Sequence, residues 1–228
     1  MGMAVLILGR SGSGKSYSLR NFQPGEVGIM SVLGKPLPFA KRLDFANLNK
    51  RREDGTKPNK YEIIRAILRR NRYKCYVIDD ANYLMQLENF EMAYVKGYDK
   101  FVKMAVNFEN MLDDILTLTD ENTIVYLMMH PDSDEYGNTK PKTVGKMLDN
   151  QLTIEGLVPI TIETKWADGG YYFRVRKNSE GDIVKVPPEV IEALEIEGDT
   201  MDNDLRTLDT AIRSAYGFEP IAAVSADG

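Results

Sequence analysis

Gly9-Arg10-Ser11-Gly12-Ser13-Gly14-Lys15-Ser16 fits the phosphate-loop pattern G-x-x-x-x-G-K-[ST] at every fixed position. The apolar run Met3-Ala4-Val5-Leu6-Ile7-Leu8 precedes it and predicts a buried strand. Tyr17 to Phe22 follows and predicts a helix. Strand, glycine-rich loop and helix together are the setting in which successive backbone N–H groups form an anion-binding nest. Gly9, Gly12 and Gly14 predict a backbone that turns tightly and comes close to a ligand. A helix starting near Lys15 would add its positive N-terminal end. In this pattern the Lys15 ammonium reaches the β- and γ-phosphates of a bound nucleotide, and the Ser16 hydroxyl ligates Mg²⁺. Gly9 to Ser16, with Tyr17 just after, are therefore the expected nucleotide-binding residues.

Working outward, Lys74-Cys75-Tyr76-Val77-Ile78-Asp79-Asp80 reads as a buried strand ending in two carboxylates. Beside a phosphate loop, Asp79 is the expected metal-side acid, with Ser16 as the second protein ligand. Asp80 is placed near the terminal phosphate, to orient or activate a water. The alternative is an Asp pair that only caps the following helix. Thr123 to Met129 is another apolar strand, and it ends at His130, the only histidine. Its imidazole would either sense the terminal phosphate or hydrogen-bond a loop. Lys15, Asp80 and His130 are thus the candidate catalytic residues.

The rest of the chain predicts a scaffold. Glu26 to Val32 reads as a second strand, and Lys35 to Asn59 as a long polar loop. Tyr61 to Arg70 reads as a helix with Ile63, Ile64, Ile67 and Leu68 on one face. Phe101, Met104, Ala105, Phe108, Met111, Leu112, Ile115 and Leu116 form an apolar helical stripe, read as core. Pro131 to Lys146 reads as a polar loop. Two strands, Leu157–Thr164 and Tyr171–Lys177, flank Ala167-Asp168-Gly169-Gly170 and predict a hairpin. On its second strand Arg174, Arg176 and Lys177 are either a solvated edge or cationic fingers for a neighbouring subunit. Pro187 and Asp202 open two short helices, and Pro220 to Gly228 reads as a frayed end.

The chain has 228 residues, 43% hydrophobic and 28% charged, enough to bury a sizeable core. No apolar run approaches the ~20 residues of a membrane span. One cysteine, Cys75, excludes an intrachain disulfide, and no signal-like segment precedes the first strand, so a reducing cytoplasm is expected. The net charge of −5 is uneven. Residues 41–74 hold twelve Lys/Arg against four Asp/Glu, and residues 178–228 hold three against twelve. That split means either a basic face for a polyanion with a competing acidic tail, or two solvated faces.

With the phosphate loop, Ile78-Asp79-Asp80-Ala81-Asn82-Tyr83-Leu84 and Met129-His130 in view, residues 3–177 resemble the RecA-like P-loop ATPases of bacteriophages. These include Sak-type proteins that sit beside single-strand annealing recombinases, and related AAA-type nucleotide-binding proteins. The resemblance implies an α/β fold: a RecA-like core over residues 1–178, with a mostly parallel sheet flanked by helices and a C-terminal β-hairpin. Residues 179–228 would be an acidic helical extension. It also implies Mg·ATP at Ser11 to Ser16, Asp79 as metal-side acid, His130 as γ-phosphate sensor, and ATP-linked handling of single-stranded DNA, often as an oligomer. One departure stands out. Many such ATPases carry a catalytic glutamate after the metal-side Asp or at the end of the second strand; here those places hold Asp80 and Met30-Ser31-Val32. A slow ATPase or an ATP-gated switch fits as well as fast hydrolysis. A nucleoside or nucleotide kinase, and a non-catalytic ATP-binding adaptor, are the alternatives. The kinase reading lacks an arginine-rich lid, since residues 131–146 hold lysines but no arginine.

Overall fold

Every residue from Met3 to Leu8 is buried, so both faces of this strand meet core and neither meets water. The computed structural model describes residues 1–134, 136–145, 153–179 and 182–222. In chain order they form β1 (Met3–Leu8), a 3-10 helix (Ser16–Asn21), β2 (Gly28–Ser31), β3 (Asp44–Asn47), α1 (Lys60–Leu68) and β4 (Cys75–Asp79). Then come α2 (Tyr83–Glu91), α3 (Asp99–Leu118), β5 (Ile124–Met129), β6 (Pro131–Ser133), β7 (Thr139–Pro141) and α4 (Ile154–Leu157). The chain closes with β8 (Ile160–Ala167), β9 (Gly170–Arg174), α5 (Pro188–Ala193), β10 (Thr200–Asp202) and α6 (Leu205–Tyr216).

Eight strands form one sheet in the order β10-β9-β8-β1-β5-β4-β2-β3. From β8 to β3 all neighbours are parallel; β9 and β10 add antiparallel partners at one end. Alternate side chains divide the core in two, as a period of two requires. Leu6, Leu8, Met30, Ile78 and Leu127 face α1, α2 and α3 through Ile64, Leu84, Phe108 and Ile115. Val5, Ile7, Ile29, Val77 and Tyr126 face the other way, onto Leu19 of the 3-10 helix and Leu205, Leu208 and Ile212 of α6. Helices on both faces explain why the parallel strands read as unbroken apolar runs.

Local chemistry sets several ends. The Asn59 side chain accepts from the Tyr61 and Glu62 amides and starts α1. Asp204 does the same for α6, which stops at Gly217 with φ 67.

The helix expected after the glycine-rich loop is present as a six-residue 3-10 helix. The structure departs from expectation in three places. The polar stretch 35–59 contains β3, the edge strand beside β2. The loop after His130 contains the small hairpin β6–β7. Residues 200–202, within the expected acidic extension, pair with β9 and join the main sheet. The end expected to fray lies mostly outside the described residues.

Candidate functional site

Ligand crevices in open α/β sheets lie at the carboxyl ends of parallel strands. Here β5 is inserted between β1 and β4. The carboxyl ends of these three neighbours therefore bring Gly9, His130 and the Asp79-Asp80 pair to one place. Backbone bonds hold the arrangement: Gly9 N donates to Met129 O at 3.1 Å and Ala81 N to Met128 O at 2.8 Å.

The loop after β1 is curled and pinned. Gly12 and Gly14 have φ of 77° and 101°, where a side chain is strained. A Cβ on Gly9 would lie 1.8 Å from the Thr164 hydroxyl of β8, so only glycine fits that crossing. The Ser13 hydroxyl donates to Arg10 O at 2.8 Å. It lies 2.5 Å from Thr164 Oγ1, and with its one proton already given, Thr164 is the donor there. Lys15 is buried and arches back, its ammonium donating to Gly9 O at 2.7 Å and Arg10 O at 3.2 Å. Burial holds Lys15 below its ordinary pKa, against the pull of Asp80 and Asp79.

The two carboxylates have separate partners. Ser16 Oγ lies 3.0 Å from both oxygens of Asp79. Asp80 sits at φ 62 and is met by two groups: His130 Nε2 at 3.3 Å from Oδ1, and Lys35 Nζ at 3.1 Å from Oδ2. The N-cap residue of α2 is Asn82, and neither Asp side chain caps that helix, which removes the helix-cap alternative. Asn82 instead accepts from the His130 amide at 3.1 Å and so holds the end of β5. His130 thus binds Asp80, a partner that neither expectation for it included. The environments push the two acids apart. Burial, then the neighbouring Asp80, raises Asp79. Burial also acts to raise Asp80, but the bonds from His130 and Lys35 outweigh it and hold Asp80 below its ordinary value.

These groups line a cleft of about 250 Å³, with Ser11, Gly12, Lys15, Ser16, Lys35 and His130 in its wall. Tyr17 stands at its side, 5.3 Å from the ring of Tyr171 on β9 and 4.5 Å from the Arg20 guanidinium. A second cleft of about 570 Å³ adjoins it at Ser11 and Gly12 and is bounded by Arg10, Asp132, Thr164 and Trp166. Of the expected residues, Ser11, Gly12, Gly14 to Tyr17, Asp79, Asp80 and His130 line the smaller cleft, Arg10 and Ser13 line the larger one, and Gly9 lines neither. Lys35, Thr164 and Tyr171 belong to the site and were not anticipated. Lys35 had one weak signal, its place just after Gly34 at the end of the β2 segment.

A divalent cation fits the donor set in one respect: two oxygen-bearing side chains, Ser16 and Asp79, already converge. Among the described residues no cluster of three or more His, Cys, Asp or Glu stands ready to hold a metal. A hard ion such as Mg²⁺ is held through one or two carboxylates with water and phosphate oxygens filling the rest, and Asp79 is one carboxylate that converges with Ser16.

The cationic-finger idea is corrected for Arg174. Its strand β9 is paired on both sides, by β8 and β10. Arg174 is buried, donating to Glu163 Oε2 at 2.7 and 2.9 Å and binding both oxygens of Asp182. It is neither a solvated edge nor free to reach a neighbour. Arg176 donates to Glu197 O and Ile196 O, and Lys177 is exposed.

No protein-family model matches this chain, and comparison with curated proteins finds no match. Among the described residues no helix is long and apolar enough to cross a membrane.

Proposed function

We propose that this chain is a RecA-like P-loop ATPase that binds Mg·ATP in the smaller cleft and hydrolyses it slowly in work on single-stranded DNA. It would act as a homo-oligomer or with a recombination or replication protein. One observation carries the reading: Ser16 and Asp79, 63 residues apart, meet at 3.0 Å beside a buried lysine in a glycine-rich curl. A phosphate chain laid along Gly12 to Ser16 would draw Lys15 from the Gly9 and Arg10 carbonyls. Ser16 and Asp79 would hold Mg²⁺, which when bound supplies charge neutralisation of the phosphates. Asp80 and His130 stand where the terminal phosphate would end, and they orient the attacking water. Slow turnover fits the residues at the two places where many such ATPases carry a catalytic glutamate, which here hold Asp80 and Met30-Ser31-Val32.

Support for a nucleic-acid partner is the exposure of Lys41, Arg42, Lys50, Arg51, Arg52 and Arg70, with Phe45 on edge strand β3 also exposed. The test is Mg·ATP turnover with and without single-stranded DNA, in wild type and Lys15→Ala. Turnover raised by DNA and abolished in the variant is the expected result. Unchanged ATP binding in Lys15→Ala overturns the site. A second reading, phosphoryl transfer to a nucleoside or nucleotide, is favoured by the adjoining 570 Å³ cleft, which has room for an acceptor. A phosphorylated nucleoside product, in place of free phosphate, would decide for it.

A further inference from the structure

The cleft holds two lysines in contrasting states. Lys15 is buried, with its ammonium on two carbonyls of its own loop. Lys35 has a side chain 61% exposed, with its ammonium on Asp80 Oδ2 and 5.6 Å from the Tyr83 ring. Its backbone, by contrast, is anchored. Gly34 N donates to Ser31 Oγ at 3.0 Å, Gly34 has φ 70, and a Cβ there would lie 2.1 Å from the Asn47 side chain. Pro36 and Pro38 stiffen the chain beyond it. The result is an anchored stem just beyond β2 with an exposed charged head lining the cleft.

An ion pair with so exposed a partner is weak and easily exchanged. A phosphate oxygen is a stronger acceptor for an ammonium, which serves it as a point charge. Lys35 lines the same cleft as Ser11, Gly12, Lys15 and Ser16. It is also close enough for its charge to act on both Lys15 and Asp79. Lys15 and Lys35 repel each other there until an anion lies between them.

We propose that Lys35 reads the terminal phosphate of a bound nucleoside triphosphate: its ammonium exchanges Asp80 for a terminal-phosphate oxygen, and Asp80 Oδ2 is released into the cleft. A diphosphate lacks the group that triggers the exchange, so Lys35 distinguishes triphosphate from diphosphate. The proposal rests on the Mg·ATP reading of the cleft.

The experiment measures Mg²⁺-dependent binding of a non-hydrolysable ATP analogue and of ADP by calorimetry. Wild type is compared with Lys35→Ala, Lys35→Arg, Asp80→Ala and the Lys35→Ala/Asp80→Ala double variant. Lys35→Ala should weaken the triphosphate about tenfold and ADP less than about twofold, since one charge-assisted bond is lost only from the former. Lys35→Arg should restore most of the loss. Asp80→Ala removes the competing acceptor and should tighten triphosphate binding severalfold, and that gain should vanish in the double variant. Equal weakening of both nucleotides by Lys35→Ala, or none, overturns the proposal. Lys15→Ala separates the two levels: if it leaves both affinities intact, the nucleotide reading itself fails, whatever Lys35 does.

Discussion

Gly14→Ala should destabilise the protein far more than Gly12→Ala, although the two glycines sit two residues apart in the same loop. Both have positive φ, 77° at Gly12 and 101° at Gly14. Forcing an L-residue there costs roughly 1–2 kcal/mol. At Gly12 nothing lies within 4 Å of an added Cβ, so the conformational cost is the whole effect. At Gly14 the Cβ meets Tyr171 Cδ1 at 2.9 Å, Cγ at 3.0 Å and Cβ at 3.1 Å. The Cγ and Cβ atoms sit near the backbone of β9, and the ring is packed against Tyr17, so the neighbour cannot swing away cheaply. Overpacking of this kind adds roughly 1–3 kcal/mol. The expected losses are therefore about 1–2 kcal/mol for Gly12→Ala and about 2–5 kcal/mol for Gly14→Ala. Urea unfolding of both variants, of Tyr171→Ala and of Gly14→Ala/Tyr171→Ala measures this. The cycle should give a coupling of at least about 1 kcal/mol between positions 14 and 171. Equal losses in the two glycine variants, with no coupling to Tyr171, would refute the reasoning that Tyr171 of β9 leaves no room for a side chain at position 14.

Three further outcomes follow from other contacts. Burial acts to raise Asp182, but Arg174 and the Asn178 and Val184 amides together hold it well below its ordinary value of 3.8. A depressed carboxylate stabilises the fold fully above its unfolded pKa and less as pH falls below it. Asp182→Ala should thus lose about 3 kcal/mol near neutral pH, at the low end for a broken buried pair because Glu163 remains on Arg174. The loss should shrink below about pH 4, and a pH-independent difference in thermal midpoint would contradict it. Asp209→Ala should cost about 3–5 kcal/mol, because it strips the buried Arg213 of its only carboxylate partner among the described residues; a loss under about 1 kcal/mol by urea unfolding would count against that. Asp79→Asn should move the Mg²⁺ dependence of ATP binding to higher concentration, while binding in chelator stays as in wild type. Identical Mg²⁺ titrations would remove Asp79 from the metal role.

Much of the scaffold was legible because its signals are local. Unbroken apolar runs marked β1, β4 and β5, since strands covered on both faces need no polar side. The stripe from Phe101 to Leu116 marked α3 by its period. The tight turning expected of the loop glycines is seen at Gly12 and Gly14 by their positive φ, while Gly9 packs against Thr164. The misses were short or polar. β3 and β10 have four and three residues, β3 with no buried position and β10 with one, too brief for any period to emerge. The residues after Lys15 carry helical composition, and nothing in it distinguishes two turns of 3-10 geometry from an α-helix.

The amino-acid sequence by itself pointed to part of the cleft's lining: a glycine-rich curl, a lysine, a hydroxyl, two adjacent acids and a histidine at a strand end. Only the tertiary structure decided who partners whom. Strand order placed β5 between β1 and β4, and with it His130 onto Asp80. The turn after β2 delivered Lys35 to the same carboxylate, and β10 turned Arg174 from an edge residue into a buried one. The physical reason is the range of the forces. Backbone preference and burial period act over a few residues and can be read along the chain. Strand pairing and desolvation join residues far apart in it, and the partners of Asp80 were settled by those.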